Sequence, residues 1–189
     1  TDLLGLKFDF AKFLELEETS HDFRTGFDFT TSDILTKYLQ WETFKDSTKD
    51  LGYANKNSMA PSVAREFGIY LQDEIEIESL MGWVFTPSLR IDKYEVTPSV
   101  DQAFWDNPSR KKFRFNPVHY ENDPVISPGL SILRSMGRGT NFYITYNRGI
   151  RNPSAEELNG FFEHPPAGDR PVIIRPNPDL REETSDSFE

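Results

Sequence analysis

The 189-residue chain contains no cysteine. A disulfide scaffold, a cysteine-ligated zinc site and a thiol nucleophile are therefore excluded. No stretch approaches the roughly eighteen apolar residues that a membrane-spanning helix needs. The chain also lacks a basic excess, because its formal net charge is −10 and its pI is about 4.8. A nucleic-acid partner, which requires a basic surface, is not expected.

Aromatic residues are abundant where aliphatic ones are few. There are 16 Phe, 7 Tyr and 3 Trp in a chain that is only 37% hydrophobic. Such a chain has bulky apolar groups but too few aliphatic side chains for a thick core. This composition suits a surface with two differently solvated faces.

Six segments alternate apolar and polar residues, which predicts half-solvated antiparallel strands. Each segment has about ten residues, a length that suits a tilted strand crossing a bilayer, whereas soluble strands have about five or six. The apolar positions are Leu6, Phe8 and Phe10; Phe23, Phe27 and Phe29; Phe67, Ile69, Leu71, Ile75 and Ile77; Trp83, Phe85, Leu89 and Ile91; Ile126, Leu130 and Ile132; and Phe142, Ile144 and Tyr146.

The connections are alternately short and long. Short ones lie at 12–20, 79–82 and 136–140, and long polar ones lie at about 32–63, 98–124 and 150–181. Outer-membrane barrels have short turns on one side and long loops on the other. We therefore predict an all-β chain of antiparallel up-and-down strands, a partial segment of a large transmembrane β-barrel. Trp83 and Phe85 follow a short turn, where an aromatic girdle is expected.

Three residues depart from the alternation. Asp73 falls on the apolar face of its segment, where a charge is costly at the bilayer midplane. We place it near the periplasmic interface, with Ile75 and Ile77 beyond the hydrocarbon or shifted by a bulge. Pro87 and Pro128 each remove a backbone donor and predict a strand end or a bulge.

No motif predicts catalysis, because the chain has neither a phosphate-binding loop, a His-Glu-x-x-His sequence nor a nucleophile elbow. We therefore expect that it is not an enzyme. His21 begins a strand beside a short turn and suits a structural role. His119 and His164 lie in long loops. A solvated loop histidine is the simpler interpretation of both, and a ligand to haem iron is the alternative for His164.

Several motifs occur in the order found in one family. "YITYNRGIRNPSAEEL" and "RPNPDLREETSDSFE" resemble the two boxes of TonB-dependent outer-membrane receptors, in the branch that takes up haem or binds haemoglobin, transferrin or lactoferrin. "HDFRTGFDF", "GIYLQDEIEIESLMGWVFTPSLRIDKY" and "ISPGLSIL" are similar to upstream strands of that family. The first box is Ile150, Arg151, Asn152 and Pro153, and the second is Asn177, Pro178, Asp179 and Leu180.

The resemblance implies active transport across the bacterial outer membrane, with energy from the TonB system through a plug that this chain lacks. Residues 1–189 are then a barrel fragment of six strands and the start of a seventh. The chain has no signal peptide, and it opens and stops inside patterned segments, so we expect a fragment or a processed piece of a larger protein. Outer-membrane lipid and the TonB system are the implied partners.

The implied ligand is iron, as haem or as haem from a haemoprotein. Between the two boxes, the family's haem receptors use a histidine as axial ligand, and His164 occupies that interval. Arg170 and Arg175 are candidate partners of the propionates, and His119 and Tyr120 are candidates to face the same site. We expect no intrinsic cofactor, with haem as a transported ligand.

Two alternatives remain open. In the first, the ligand is a ferric siderophore or a transferrin-type protein, for which Trp41, Phe44, Trp105 and Phe113 would be aromatic anchors. In the second, the chain is a soluble β-sandwich binding module that folds without detergent.

Overall fold

A computed structural model describes residues 2–35, 37–38, 41–44, 47–50, 56–57, 59–106, 116–164 and 172–189, with the backbone alone for the residues described within 37–57 and 162–174. The strands in chain order are β1 (Asp2–Glu15), β2 (Thr19–Ile34), β3 (Lys37–Tyr38), β4 (Trp41–Phe44), β5 (Ser47–Asp50), β6 (Lys56–Asn57), β7 (Ser62–Ile77), β8 (Trp83–Pro98), β9 (Tyr120–Glu121), β10 (Val125–Ser135), β11 (Asn141–Arg151), β12 (Phe162–His164), β13 (Val172–Ile174) and β14 (Glu183–Phe188). The helices are a 3₁₀ turn at Glu78–Leu80, α1 (Gln102–Trp105) and α2 (Ala155–Asn159).

Seven of the strands form one antiparallel sheet in the order β1-β2-β7-β8-β10-β11-β14, and β9 pairs with β8. This confirms the prediction of an all-β antiparallel up-and-down fold, and each of the six alternating segments lies in one strand of the sheet. The long strands β1, β2, β7 and β8 have 14 to 16 residues, longer than predicted. Backbone hydrogen bonding between these strands continues beyond the alternating apolar positions, at the strand ends that lead into the long connections. We call that edge of the sheet the loop end, and the opposite edge the turn end.

The pairing register puts residues of like polarity side by side. Phe8 is opposite Phe27, Phe27 opposite Ile69, Ile69 opposite Ile91, and Ile91 opposite Ile126. Since paired residues point to the same side, the sheet has an apolar face and a polar face. The apolar face is uncovered: Phe8 is 55% and Phe142 is 52% exposed. No second layer covers it in the described part of the chain, which does not fit the soluble β-sandwich considered above.

The band of apolar residues runs obliquely across the hydrogen-bonded rows. In β1 the band extends from Leu4 to Phe10, and Lys12 follows it toward the turn end. In β11 it extends only from Phe142 to Tyr146, and Arg148 follows it toward the loop end. Extending the registers puts Lys12 and Tyr146 on one row. The band thus shifts by roughly seven residues over five strand steps, which at about 3.3 Å per residue and about 4.8 Å per strand corresponds to a tilt of about 45°. Transmembrane barrels show this tilt.

The two internal prolines neither end strands nor create bulges, so that prediction is wrong. The β8–β10 register is continuous through Pro87 and Pro128. The β7–β8 register is the same on both sides of Pro87, although no pairing occurs between residues 73–74 and 86–87. Proline therefore removes part of one ladder without displacing a residue. The unchanged register also excludes the bulge suggested to shift Ile75 and Ile77.

A small buried core lies at the loop end, on the polar side of the sheet. Its residues, which we call the loop core, are Met59, Ala64, Val96, Tyr120, Ala155 and Leu158. Ala64 and Val96 have the same strand parity as the polar residues Glu66 and Tyr94, so the loops fold over the polar face. No helix in the described ranges is long and apolar enough to cross a bilayer.

Candidate functional site at the loop end

A three-stranded contact crosses the centre of the polar face. The Tyr70 hydroxyl on β7 donates a hydrogen bond to Asp9 on β1, across Gly26 of the strand between them. A Cβ at Gly26 would lie 2.8 Å from the Tyr70 ring. Because Gly26 has no side chain, the Tyr70 ring lies flat on the sheet. Its hydrogen bond to Asp9 then helps to fix the register of the three strands.

A second such contact, nearer the loop end, holds the cationic residue Arg90. Its two terminal nitrogens donate to the two carboxylate oxygens of Asp28 at 2.8 and 2.9 Å, and its Nε donates to Asp92 at 2.8 Å. The guanidinium lies over Gly68, where a Cβ would overlap it. Bidentate pairing of this kind is strong and directional. It holds the Arg90 side chain flat against the sheet and neutralises the charge of Asp92, which is 3% exposed.

A cleft of about 510 Å³ opens on the polar face between Arg90 and the loop core. Its polar lining comes from β7, β8, β10, β11 and the segment after β11: Glu66, Arg90, Asp92, Tyr94, Ser127, Arg148, Asn152 and Ser154. The Ser127 hydroxyl is buried and has no hydrogen-bond partner among the described residues. The cleft is therefore a recess with both polar and apolar walls, and its hydrogen-bonding capacity is partly unused.

The first motif box ends β11 and starts α2. Ser154 caps this helix by accepting a hydrogen bond from the Glu157 N–H, and the Glu157 carboxylate accepts one from the Ser154 N–H at 2.9 Å. This is a capping box. Arg151 donates to Glu157 and lies 3.4 Å from Glu183 on β14. The Ser154 N–H and Arg151 together hold the pKa of Glu157 below its usual value.

The structure brings the two motif boxes together. The Asn177 N–H donates to the Glu157 carbonyl at 3.0 Å, and the Asn177 side chain accepts from the Asp179 N–H. Leu180 packs against the loop core, and Pro153 is fully buried. The boxes thus close the base of the segment that connects them. Sequence reasoning treated them as family markers and did not predict this contact.

Tyr120, a candidate ligand contact, belongs to the loop core. Its ring packs on Tyr94 with centroids 6.2 Å apart, and its hydroxyl donates to Glu182 at 3.3 Å. Burial, and then the Glu182 charge, raises the pKa of Tyr120. Nearby, Asn122 donates to Asn152 of the first box at 3.2 Å. Tyr120 therefore connects the long segment between β8 and β10 with the residues that directly follow the second box.

His119 lies on the surface beside Tyr120. Its Nδ1 is 3.3 Å from the Thr97 hydroxyl and 3.9 Å from Glu95, and its Nε2 is 3.8 Å from Glu121. Lys93 forms an ion pair with Glu121. His119 is thus half exposed among carboxylates at the rim of β8.

The remaining candidates lie largely outside the described side chains. The backbone of His164 pairs with Val172 in the β12–β13 hairpin, and its side chain is not described. Arg170, Trp41, Phe44 and Phe113 also lie outside the described side chains. Arg175 is exposed just after β13. Trp105 packs edge-on against the buried Phe104, with centroids 5.5 Å apart.

On the apolar face, Asp73 has a partner that sequence reasoning missed. His21 Nδ1 lies 2.8 Å from Asp73 Oδ2, and His21 Nε2 lies 3.0 Å from the Thr19 hydroxyl. The histidine predicted to be structural therefore meets the unexpected carboxylate. The two residues are 52 positions apart, so only the β2–β7 register brings them together. Within the described ranges, no cluster of three or more His, Cys, Asp or Glu side chains is arranged to hold a metal ion.

Comparison with known proteins agrees with this architecture. A family model described as TonB dependent receptor-like, beta-barrel matches residues 2–189. No curated protein matches the chain significantly.

Proposed function

Because the chain belongs to the TonB-dependent receptor-like β-barrel family, we propose that it forms part of the wall of an outer-membrane active-transport receptor that imports iron as haem. The family's receptors work in bacterial outer membranes with energy from the TonB system, and they are transporters rather than enzymes. The apolar face then contacts lipid, and the polar face lines the lumen. The loop end faces outside, where the loops capture the ligand.

The rest of the receptor completes this wall. In the described sheet, β1 pairs only with β2 and β14 only with β11. Further strands would pair with these two edges, because an open edge in hydrocarbon leaves backbone groups without partners. A plug inside the barrel would respond to TonB and open the path along the polar face.

The contact between the two motif boxes is the observation that supports haem capture. The Glu157–Asn177 hydrogen bond closes the base of the segment that carries His164. A histidine on a loop with fixed ends suits axial ligation of haem iron at the outer surface. Arg170 and Arg175 on the same segment are the candidate partners of the propionates, and the haem is delivered free or by a haemoprotein.

Haem titration of the intact receptor and of its His164→Ala variant tests this proposal. We expect the variant to lose affinity and to shift the Soret band, because the iron loses an axial ligand. His21→Ala is the control, since it removes a histidine at the turn end, remote from the loops, and should leave the spectrum unchanged. Unchanged affinity and an unchanged Soret band in His164→Ala would remove His164 from the site.

A ferric siderophore is the second candidate, and the charge of the polar face favours it. On β1, β2, β7 and β8, this face carries three cationic and eight anionic side chains between the turn end and the loop core: Lys7, Arg24 and Arg90 against Asp9, Glu15, Asp22, Asp28, Glu66, Glu74, Glu76 and Asp92. Such a wall attracts cations and repels anions. A ferric chelate without net negative charge suits it better than the two propionates of haem. Iron-limited growth on haem compared with growth on a neutral ferric hydroxamate distinguishes these candidates.

A further inference from the structure

The cleft below the loop core presents acceptors to the lumen, while the two cations that line it, Arg90 and Arg148, are already engaged. Arg148 donates to the two carboxylate oxygens of Asp186 on β14 at 2.9 and 3.1 Å. Arg90 is bound to both Asp28 and Asp92 and lies flat on Gly68. To reach an anion in the cleft it would have to break the bidentate pair with Asp28. The positive charge of Arg90 is therefore largely balanced by the carboxylates of Asp28 and Asp92.

Two acceptor groups of the cleft are not committed. The Glu66 carboxylate lines the cleft and forms neither a hydrogen bond nor an ion pair with any described residue. The Ser127 hydroxyl, on β10 across the cleft, is buried and equally without a partner in the described ranges. A buried hydroxyl without a partner is costly, so a bound group that hydrogen-bonds to it gains free energy.

We propose that this cleft is a subsite for a protonated amine or guanidinium group of the transported ligand. Glu66 pairs with the positive charge. The Ser127 hydroxyl accepts a hydrogen bond from a second donor group of the same ligand, because the register places Ser127 four residues and two strands away from Glu66. The excess of carboxylates on the polar face raises the local concentration of cations at the cleft. The proposal rests on the proposed transport function, since it needs the polar face to be the ligand path, but it does not depend on haem.

Charged thiol reagents applied to the intact receptor test the proposal without requiring import. The chain has no cysteine, so Ser127→Cys and Asn152→Cys each place one thiol of this chain in the cleft. The rate of modification is measured with a trimethylammonium methanethiosulfonate and with a sulfonate methanethiosulfonate. The cation-to-anion rate ratio is then divided by the ratio for a free thiol.

We expect this normalised ratio to be about tenfold above one at both positions. Adding the Glu66→Gln substitution to either cysteine variant should lower this normalised ratio severalfold. Glu74→Gln is the matched control, because it removes the same charge from the same face of β7 at the turn end, and it should change the ratio less than twofold. Millimolar agmatine, which carries an amine and a guanidinium, should slow modification in the parent but not in the Glu66→Gln variant, and neutral 1,4-butanediol should not slow it.

A normalised ratio of one or below, at either thiol that reacts, would overturn the proposal. So would an equal effect of Glu66→Gln and Glu74→Gln, because the charge would then be a general property of the wall. Failure of both thiols to react with either reagent would show that the cleft is closed to solutes. Since the reaction needs neither TonB nor haem, a failed import or haem-binding experiment would leave this result unaffected.

Discussion

Large apolar side chains occur in two regions of this molecule, and their surroundings are opposite. On the apolar face of the sheet, Phe8 is 55% and Phe142 is 52% exposed. In the loop core, Leu158 and Val96 are completely buried. The same residue types thus serve two purposes. In the loop core they pack the loops against one another, and on the sheet, in the proposed receptor wall, they contact lipid.

This difference predicts different responses to mutation. Removing a methyl group from the loop core leaves a cavity, because surrounding side chains only partly relax. Removing one from the apolar face leaves no cavity, because lipid fills the space. Adding a charge has its greatest effect on the apolar face, where hydrocarbon cannot solvate it.

The largest effect is expected in the loop core. Leu158→Ala should cost about 2–5 kcal/mol of local stability and accelerate hydrogen exchange in α2 and β9 of the intact receptor. Leu130→Ala is the matched control, since it makes the same deletion on the apolar face and should leave exchange in these elements unchanged. Equal effects of the two substitutions on exchange in α2 and β9 would remove the distinction between the regions.

A charge on the apolar face should cost slightly less. Ile69 lies near the centre of the oblique band, and Ile69→Arg should lower the free energy of unfolding by about 2–4 kcal/mol. Thr31→Arg, on the same face at the loop-end margin of the band, should cost about 0–1 kcal/mol. The measurement is the guanidinium midpoint of the receptor folded into lipid vesicles. Similar midpoints for the two variants would contradict the oblique band.

A smaller effect is expected where the first box starts α2. Ser154→Ala removes the side-chain acceptor for the Glu157 N–H and should cost about 1 kcal/mol. Amide exchange at the start of α2 should accelerate about fivefold. Ser185→Ala on β14 is the control for loss of a hydroxyl near this end of the sheet. Unchanged exchange in Ser154→Ala would show that the loop core alone holds the helix.

The smallest effect is expected on the stability of α2 when the pH is lowered. The pKa of Glu157 is lowered in the folded state, so its stabilising contribution is complete above its unfolded pKa of about 4.3. The contribution declines as the pH falls below that value through the lower folded pKa. The protection of the α2 amides, taken relative to their intrinsic exchange rate at each pH, should therefore fall on acidification in the parent more than in Glu157→Gln. The same acid response in both proteins would assign it to other carboxylates.

Alternation in the sequence was sufficient to predict the strands, because an antiparallel strand between two solvents needs apolar residues at every second position. It was not sufficient for Pro87 and Pro128, where the effect of a missing N–H depends on which neighbouring strand it would have faced. The His21–Asp73 pair depends on register between distant segments. Loop-core residues such as Met59 and Leu158 come from a loop and from a five-residue helix, and neither is long enough to show a period. The motif boxes were identified, but their contact with each other follows from packing.

The central claim is that the apolar face contacts lipid and the polar face contacts water. Nitroxide labels placed one at a time along β7 of the receptor in vesicles, from residue 65 to residue 75, test this claim most directly. Odd-numbered positions should be accessible to oxygen and shielded from a water-soluble nickel chelate, and even-numbered positions should show lower oxygen accessibility. Odd-numbered positions shielded from both reagents would mean that protein covers the apolar face, and that result would contradict the account.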